Sequence, residues 1–164
     1  MILYIIRHAW AGHAGDPAWP DDFQRPLTPD GRKRFRRMVE ILAGRGFNPE
    51  LVVTSPLVRC RQTAEVVADA VARQPGVIER DELMPGADLD RLLSWTESEA
   101  VSFERIAWVG HAPDVGAIAS ELLSGSGAWL RFAKGAVAAI DFDRFPEPGR
   151  GELHWMVTAK VLGV

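Results

Sequence analysis

Two histidines and several arginines stand directly behind apolar runs, a placement suited to phosphoryl chemistry. Arg7-His8 follow Ile2 to Ile6, and Gly110-His111 follow Ile106 to Val109. Ser55-Pro56, with Arg59 and Arg61 one turn on, follow Leu51 to Thr54. Guanidinium forks match the oxygens of a phosphoryl group, and a helix start such as Ser55-Pro56 adds backbone donors. Neutral imidazole carries a free lone pair at physiological pH, so a histidine in such a pocket can act as a nucleophile without a metal or a separate base. Neighbouring cations disfavour the imidazolium and keep that lone pair available. The second histidine would stabilise charge on the transferring group.

The elements that must bring these residues together are legible in outline. Ile2 to Ile6, Leu51 to Thr54, Ile106 to Val109 and Val137 to Ile140 are short apolar runs bounded by Pro, Gly, Ser or charged residues. Such runs, with no polar face, read as strands of a parallel sheet buried on both sides. Thr28-Pro29 is an N-cap followed by proline at the first helical position, and the helix should run to about Arg45, stopped by Gly46. A second helix should start at Ser55-Pro56, and others should span 88–101 and 112–123, with Gly125-Ser126-Gly127 as a flexible connector. A loop over 144–151 should precede a last strand near 153–158. Strands alternating with helices predict an α/β fold, a three-layer α/β/α sandwich with a mainly parallel sheet. Ligands then belong at the carboxyl ends of the strands, where the histidines and arginines converge.

Composition narrows the class. The chain has 164 residues, and its 19 basic and 22 acidic side chains leave a net charge of −3. That length suits one domain over residues 1–164, and the charge argues against sequence-blind nucleic-acid binding. Cys60 is the only cysteine, so no disulfide scaffold exists and a reducing cytoplasm fits. The apolar opening ends at Arg7, short of a membrane span, and has no basic region of a signal peptide.

Four segments, in order, resemble the successive motifs of the histidine phosphatase superfamily, the phosphoglycerate mutase-like enzymes. They are Ile5-Ile6-Arg7-His8-Ala9, Arg25-Pro26-Leu27-Thr28-Pro29-Asp30-Gly31, the stretch from Thr54 to Ala64 that contains Arg59, and Val109-Gly110-His111-Ala112-Pro113. The short chain and the Arg-Pro-Leu-Thr segment are most similar to its SixA-type phosphohistidine phosphatases. The resemblance implies a phosphoglycerate mutase-like fold and a covalent mechanism. His8 would attack phosphorus while Arg7, Arg59 and His111 grip the phosphoryl oxygens, and water would then hydrolyse the phosphohistidine. Arg25 would be a further phosphate or substrate contact. Ala9 stands where the superfamily usually has glycine, a change of one methyl group. Glu82 falls where related enzymes often carry an acidic residue and is the candidate general acid, with Asp88 as a second choice. The segment between Glu82 and His111 is too short for the large insertion with which mutase relatives close over a small sugar phosphate. An open pocket suits a phosphorylated protein side chain.

Other features have blander readings. His13 fits an exposed loop and His154 a structural role. The basic run Arg32 to Arg37 could dock an acidic partner, but the solvated face of an amphipathic helix accounts for it. Trp10 and Trp19 flank the loop after His8 and could line a pocket rim. A cysteine phosphatase would need an arginine six positions after Cys60, where Val66 stands. Asp141-Phe142-Asp143 mimics the paired aspartates of another phosphatase class but lies too near the end of the chain. Adjacent arginines would repel a cation held by His8 and His111, so no metal and no cofactor is expected. The expectation is therefore a cytoplasmic, metal-independent phosphohistidine phosphatase acting on a phosphorylated protein or a small phosphorylated substrate, with no nucleic-acid or membrane partner. Two alternatives stand beside it: a phosphatase for small phosphate esters, and a catalytically weak phosphate-binding module.

Overall fold

The central strands show no polar face because each alternates its side chains between two helical layers. The computed structural model describes residues 1–125 and 129–164. It contains β1 (Ile2–Arg7), α1 (Pro29–Ala43), β2 (Leu51–Thr54), α2 (Val58–Ala70), β3 (Gly76–Glu79), α3 (Leu89–Glu99), β4 (Arg105–Gly110), α4 (Asp114–Ser124), β5 (Val137–Asp141) and β6 (Glu152–Val157). They form one sheet in the order β3-β2-β4-β1-β5-β6. Tyr4, Ile6, Val52, Ala107 and Val109 pack with Phe35 and Met38 of α1 and Ala64 and Val67 of α2. The alternate residues Leu3, Ile5, Val53, Ile106 and Trp108 pack with Leu92 of α3 and Ile118 and Leu122 of α4. The two-residue period of a strand divides its side chains between these layers. Phe35 and Trp108 are fully buried, and truncating either to alanine should cost about 3–5 kcal/mol.

The sheet is mainly parallel, as expected: β1 pairs in parallel with β4, β4 with β2, and β2 with β3. β5 runs antiparallel to β1 and β6 antiparallel to β5. Their direction follows from where the chain re-enters the sheet. The Arg7 N–H donates to the Ala136 carbonyl, so β5 starts where β1 ends and must run back along it. β3 escapes the sequence reading because it is a four-residue edge strand with only two half-buried positions.

Helix boundaries differ where caps are used differently. Thr28 caps α1 as expected, its Oγ1 accepting from Gly31 N at 3.0 Å, but the helix ends at Ala43, and Gly46, at φ +97°, turns the chain beyond it. α2 begins at Val58 rather than at Ser55-Pro56, with no side-chain cap; Ser55 stands before the helix, its Oγ accepting from Leu57 N at 3.4 Å. Asp88 lies outside α3 and caps it. α4 starts at Asp114, two residues later than expected. Gly125 ends it in the left-handed conformation, while Ser126 and Gly127 of the expected connector lie outside the described residues. Among the described residues no helix is long and apolar enough to cross a membrane.

Candidate active site

His8 leaves the carboxyl end of β1 held on both sides by backbone. Its N–H donates to Gly110 O of β4 at 3.0 Å, and Gly135 N donates to the His8 carbonyl at 3.1 Å. The ring is oriented by its own neighbour: Nδ1 lies 2.7 Å from the Ala9 carbonyl, which can only accept. Nδ1 therefore carries the proton and Nε2 keeps a lone pair. Only 7% of His8 is exposed. Burial, first of all, pushes its pKa down to about 3, with the charges of His111, Arg59 and Arg7 acting in the same sense and the Ala9 hydrogen bond opposing them. Desolvation thus matters more than the cations that sequence reasoning emphasised.

The Ala9 peptide is itself anchored. Its N–H donates to Thr63 Oγ1 of α2 at 3.0 Å, and the Thr63 hydroxyl donates to the Arg59 carbonyl at 2.7 Å. One threonine thus joins the peptide that orients His8 to the helical turn that carries Arg59. The Ala9 methyl belongs to the core layer under α1 and α2.

His111 follows β4, its ring centroid 5.4 Å from that of His8. Arg59 Nη2 lies 3.4 Å from its Nδ1; a guanidinium can only donate, so Nδ1 accepts and Nε2 holds the proton. That proton points to Ser55 Oγ, 2.9 Å away. Burial, followed by Arg59, lowers the His111 pKa to about 4 against the opposing charge of Asp22. Behind the ring, Cys60 Sγ lies 3.4 Å from Nε2. Burial pushes its thiol up to about 12, so Cys60 is a neutral wedge and not a nucleophile.

Three guanidiniums surround the pair. Arg7 Nη1 donates to the Phe132 carbonyl at 2.8 Å. Arg59, 4% exposed, donates through Nη1 to the Asp22 carbonyl at 2.8 Å and through Nη2 to the Asp22 carboxylate at 2.9 Å. Arg25 bonds the other Asp22 oxygen at 2.7 Å and Gly12 O at 2.8 Å. Asp22 is the functional neighbour that sequence reasoning missed. Its signal was local: Asp21 caps the short turn at Asp22–Gln24, and Arg25 lies three residues beyond Asp22. Gln62 of α2 accepts from Leu27 N at 2.8 Å and so pins the segment that carries Arg25. The Nε atoms of Arg7 and Arg59 are buried without a partner. Three cations against one carboxylate leave an excess of two positive charges, matching a phosphoryl dianion.

Glu82 sits apart, in the turn after β3. Arg80 grips its carboxylate in a fork at 2.9 and 3.1 Å while stacking over Trp95, and Arg91 lies 3.8 Å away. Glu82 is 8% exposed. Burial alone would raise its pKa; a backbone N–H, Arg80 and Arg91 outweigh it and hold the carboxyl below the ordinary carboxylate range. It lines a cleft with Arg80, Met84, Asp88 and Arg91, distinct from the cavity against Arg7. Asp88 is engaged as the α3 cap, accepting from Arg91 N at 3.1 Å.

The remaining candidates are accounted for locally. His13 is exposed, and the exposed His154 lies 3.6 Å from Asp141. In the basic run, Arg32 and Arg36 pair with Glu65 and Asp69 of α2, and Arg34 reaches the Val164 carbonyl while lying over Trp10. Trp10 packs against the α1–α2 core layer, whereas Trp19 is partly exposed, at 38%.

Residues 3–115 match the family model of the histidine phosphatase superfamily, branch 1. The chain is 32% identical over 161 residues to phosphohistidine phosphatase SixA of Escherichia coli, spanning 96% of this chain and 94% of that one. It is 36% identical over 143 residues to an uncharacterized protein of Picosynechococcus, spanning 85% and 84% of the two chains. Its backbone superimposes on the structure of the protein histidine phosphatase SixA complexed with tungstate with a TM-score of 0.84, at 28% identity and 99% coverage of both chains.

Proposed function

The chain belongs to branch 1 of the histidine phosphatase superfamily and is a phosphatase of phosphoglycerate mutase-like fold, and from that premise we propose that it hydrolyses phosphohistidine on a protein, with residues 1–164 acting as one domain. The observation that carries this reading is the His8 imidazole, neutral and oriented through Nδ1–H to Ala9 O, beside the unpaired buried Nε atoms of Arg7 and Arg59. The tungstate in the SixA structure is an oxyanion on a related scaffold, which supports assigning these donors to a phosphoryl group.

In the first step the His8 Nε2 lone pair forms a bond to phosphorus as the bond from phosphorus to the substrate nitrogen breaks. The departing imidazole keeps that bond's electron pair and a proton, leaving as a neutral ring. In the second step water attacks phosphorus, the bond to His8 breaks, and inorganic phosphate leaves as the water proton is released. Arg7, Arg25 and Arg59 neutralise the phosphoryl oxygens, and His111 sits beside them as a donor once its Nδ1 takes up a proton in the presence of the dianion. An imidazole is a better leaving group than an alkoxide, so the reaction depends less on a general acid. This suits a site in which Glu82 is held ionised. The reaction runs without a metal or cofactor, and the lone thiol Cys60 suits a cytoplasmic setting.

Rapid quenching with a phosphohistidine peptide and mass spectrometry should find the phosphoryl group on His8, and a His8→Ala variant should lose both label and turnover. Turnover unaffected by EDTA is expected. Much faster hydrolysis of small phosphate esters would replace the substrate assignment, and phosphate binding without any turnover would make the protein a binding module.

A further inference from the structure

We propose that Trp129 and Arg131 form a docking subsite beside the phosphoryl pocket for an acidic segment of the phosphorylated protein, an inference that rests on the phosphohistidine reading above. The two residues lie on the segment that returns from α4 to β5, and that segment is held firmly. Leu130 N donates to Ser120 Oγ at 3.2 Å, and the Leu130 carbonyl lies so close to α4 that a Cβ on Gly116 would overlap it. Two residues on, the Phe132 carbonyl accepts from Arg7 at 2.8 Å, and the Phe132 ring is buried. Anchoring residues 130 and 132 turns the alternate side chains outward: Trp129 is 80% exposed, and Arg131 is exposed beside it.

Both flank a cavity of about 280 Å³ against Arg7 that is also lined by Pro113, Leu130 and Phe132. Arg131 is near enough to Arg7 to lower its pKa, after burial, the larger cause. Among the described residues no carboxylate is paired with Arg131. An exposed tryptophan on a rigid backbone and an unpaired guanidinium against an apolar wall are the residue types that anchor protein interfaces. The like charge of Arg7 makes an anion the complementary occupant. Arg7 itself is committed to the phosphoryl group, so the second anion belongs to residues that flank the phosphohistidine.

The test compares two synthetic phosphohistidine peptides, one flanked by glutamates and one by lysines, with free phosphohistidine as a measure of the chemistry alone. The unaltered enzyme should favour the glutamate peptide by about tenfold in kcat/KM. Arg131→Glu should abolish or reverse that preference, and Trp129→Ala should raise KM for the glutamate peptide by about fivefold. Both variants should turn over free phosphohistidine within about twofold of the unaltered enzyme, which also reports that they fold. An equal loss on all three substrates would assign Arg131 to the phosphoryl group and overturn docking, as would unchanged kinetics on the peptides. Trp129-dependent binding to phosphatidylglycerol vesicles with no peptide preference would assign the patch to a membrane surface, again overturning it. If the unaltered enzyme hydrolyses neither peptide nor free phosphohistidine, the phosphohistidine reading falls first and takes the subsite with it.

Discussion

Two charge clusters lie at carboxyl ends of the parallel strands, one past β1 and β4 and one past β3, and they behave in opposite ways. Around His8 and His111, Arg7 and Arg59 each retain a buried Nε without a partner. After β3, Arg80 directs its Nε and Nη2 at Glu82, with Arg91 close behind. The first cluster has an excess of cations, so its histidines stay neutral and an incoming anion finds donors already oriented. In the second, Arg80 and Arg91 close on the one carboxylate of Glu82, which stays charged, and the Arg80 fork is occupied by it. Each cluster holds a buried charged group; what separates them is that only the first keeps buried guanidinium N–H groups without a partner. Perturbed titration alone would have marked both as active.

Removing the nucleophile should widen the contrast most. His8→Ala is expected to lose roughly 10⁴-fold or more of kcat with a phosphohistidine peptide. Next in size, Arg59→Ala should lower kcat/KM by roughly 10²–10³-fold, read in the same assay. Glu82→Gln, by contrast, should remain within about threefold of the unaltered enzyme. A hundredfold loss there, with a shifted acid limb in the pH profile, would break the comparison and restore Glu82 as the proton donor.

A smaller effect addresses the link between His8 and Arg59. Thr63→Val leaves the Ala9 N–H without its acceptor, so kcat should fall about tenfold with KM little changed. Thr63→Ser should recover most of the loss, whereas a purely steric role would leave the serine variant as impaired as the valine one.

The remaining expected signal is in stability rather than turnover. His8 and His111 titrate in the folded protein near 3 and 4, below the roughly 6.5 of an unfolded histidine. Between those limits the unfolded state binds more protons. Stability should therefore be flat above about pH 6.5 and fall as the pH drops toward 4. Urea midpoints at pH 7 and pH 5 measure this, and a His8→Gln variant should show a shallower decline. Asp22 and Glu82, also held below their ordinary values, add their own loss only at lower pH, so the window above about pH 4.5 isolates the histidines.

Much of the fold was legible because its signals are local. A strand buried on both sides must be apolar throughout, so β1, β2, β4 and β5 announced themselves, and Thr28-Pro29 announced α1. The half-exposed edge strand β3 had no such run to betray it. A helix start was misjudged where a polar residue resembled a cap: Ser55 stands before α2, its Oγ beside His111 Nε2.

For the site itself, the sequence alone determined which residues stand just past the buried strands, and thus that Arg7, His8, Arg59 and His111 converge on one edge. The extent of a doubly buried strand follows from its apolar run, so the positions of strand-end residues do as well. Only the tertiary structure decided which charges cancel. Asp22 reaches Arg59 across 37 residues of chain, Thr63 reaches Ala9 across 54, and Glu82 is gripped by Arg80 and Arg91. Hydrogen bonds and buried ion pairs are made or lost over a fraction of an ångström. That precision comes from packing between elements remote in sequence, and no local pattern encodes it.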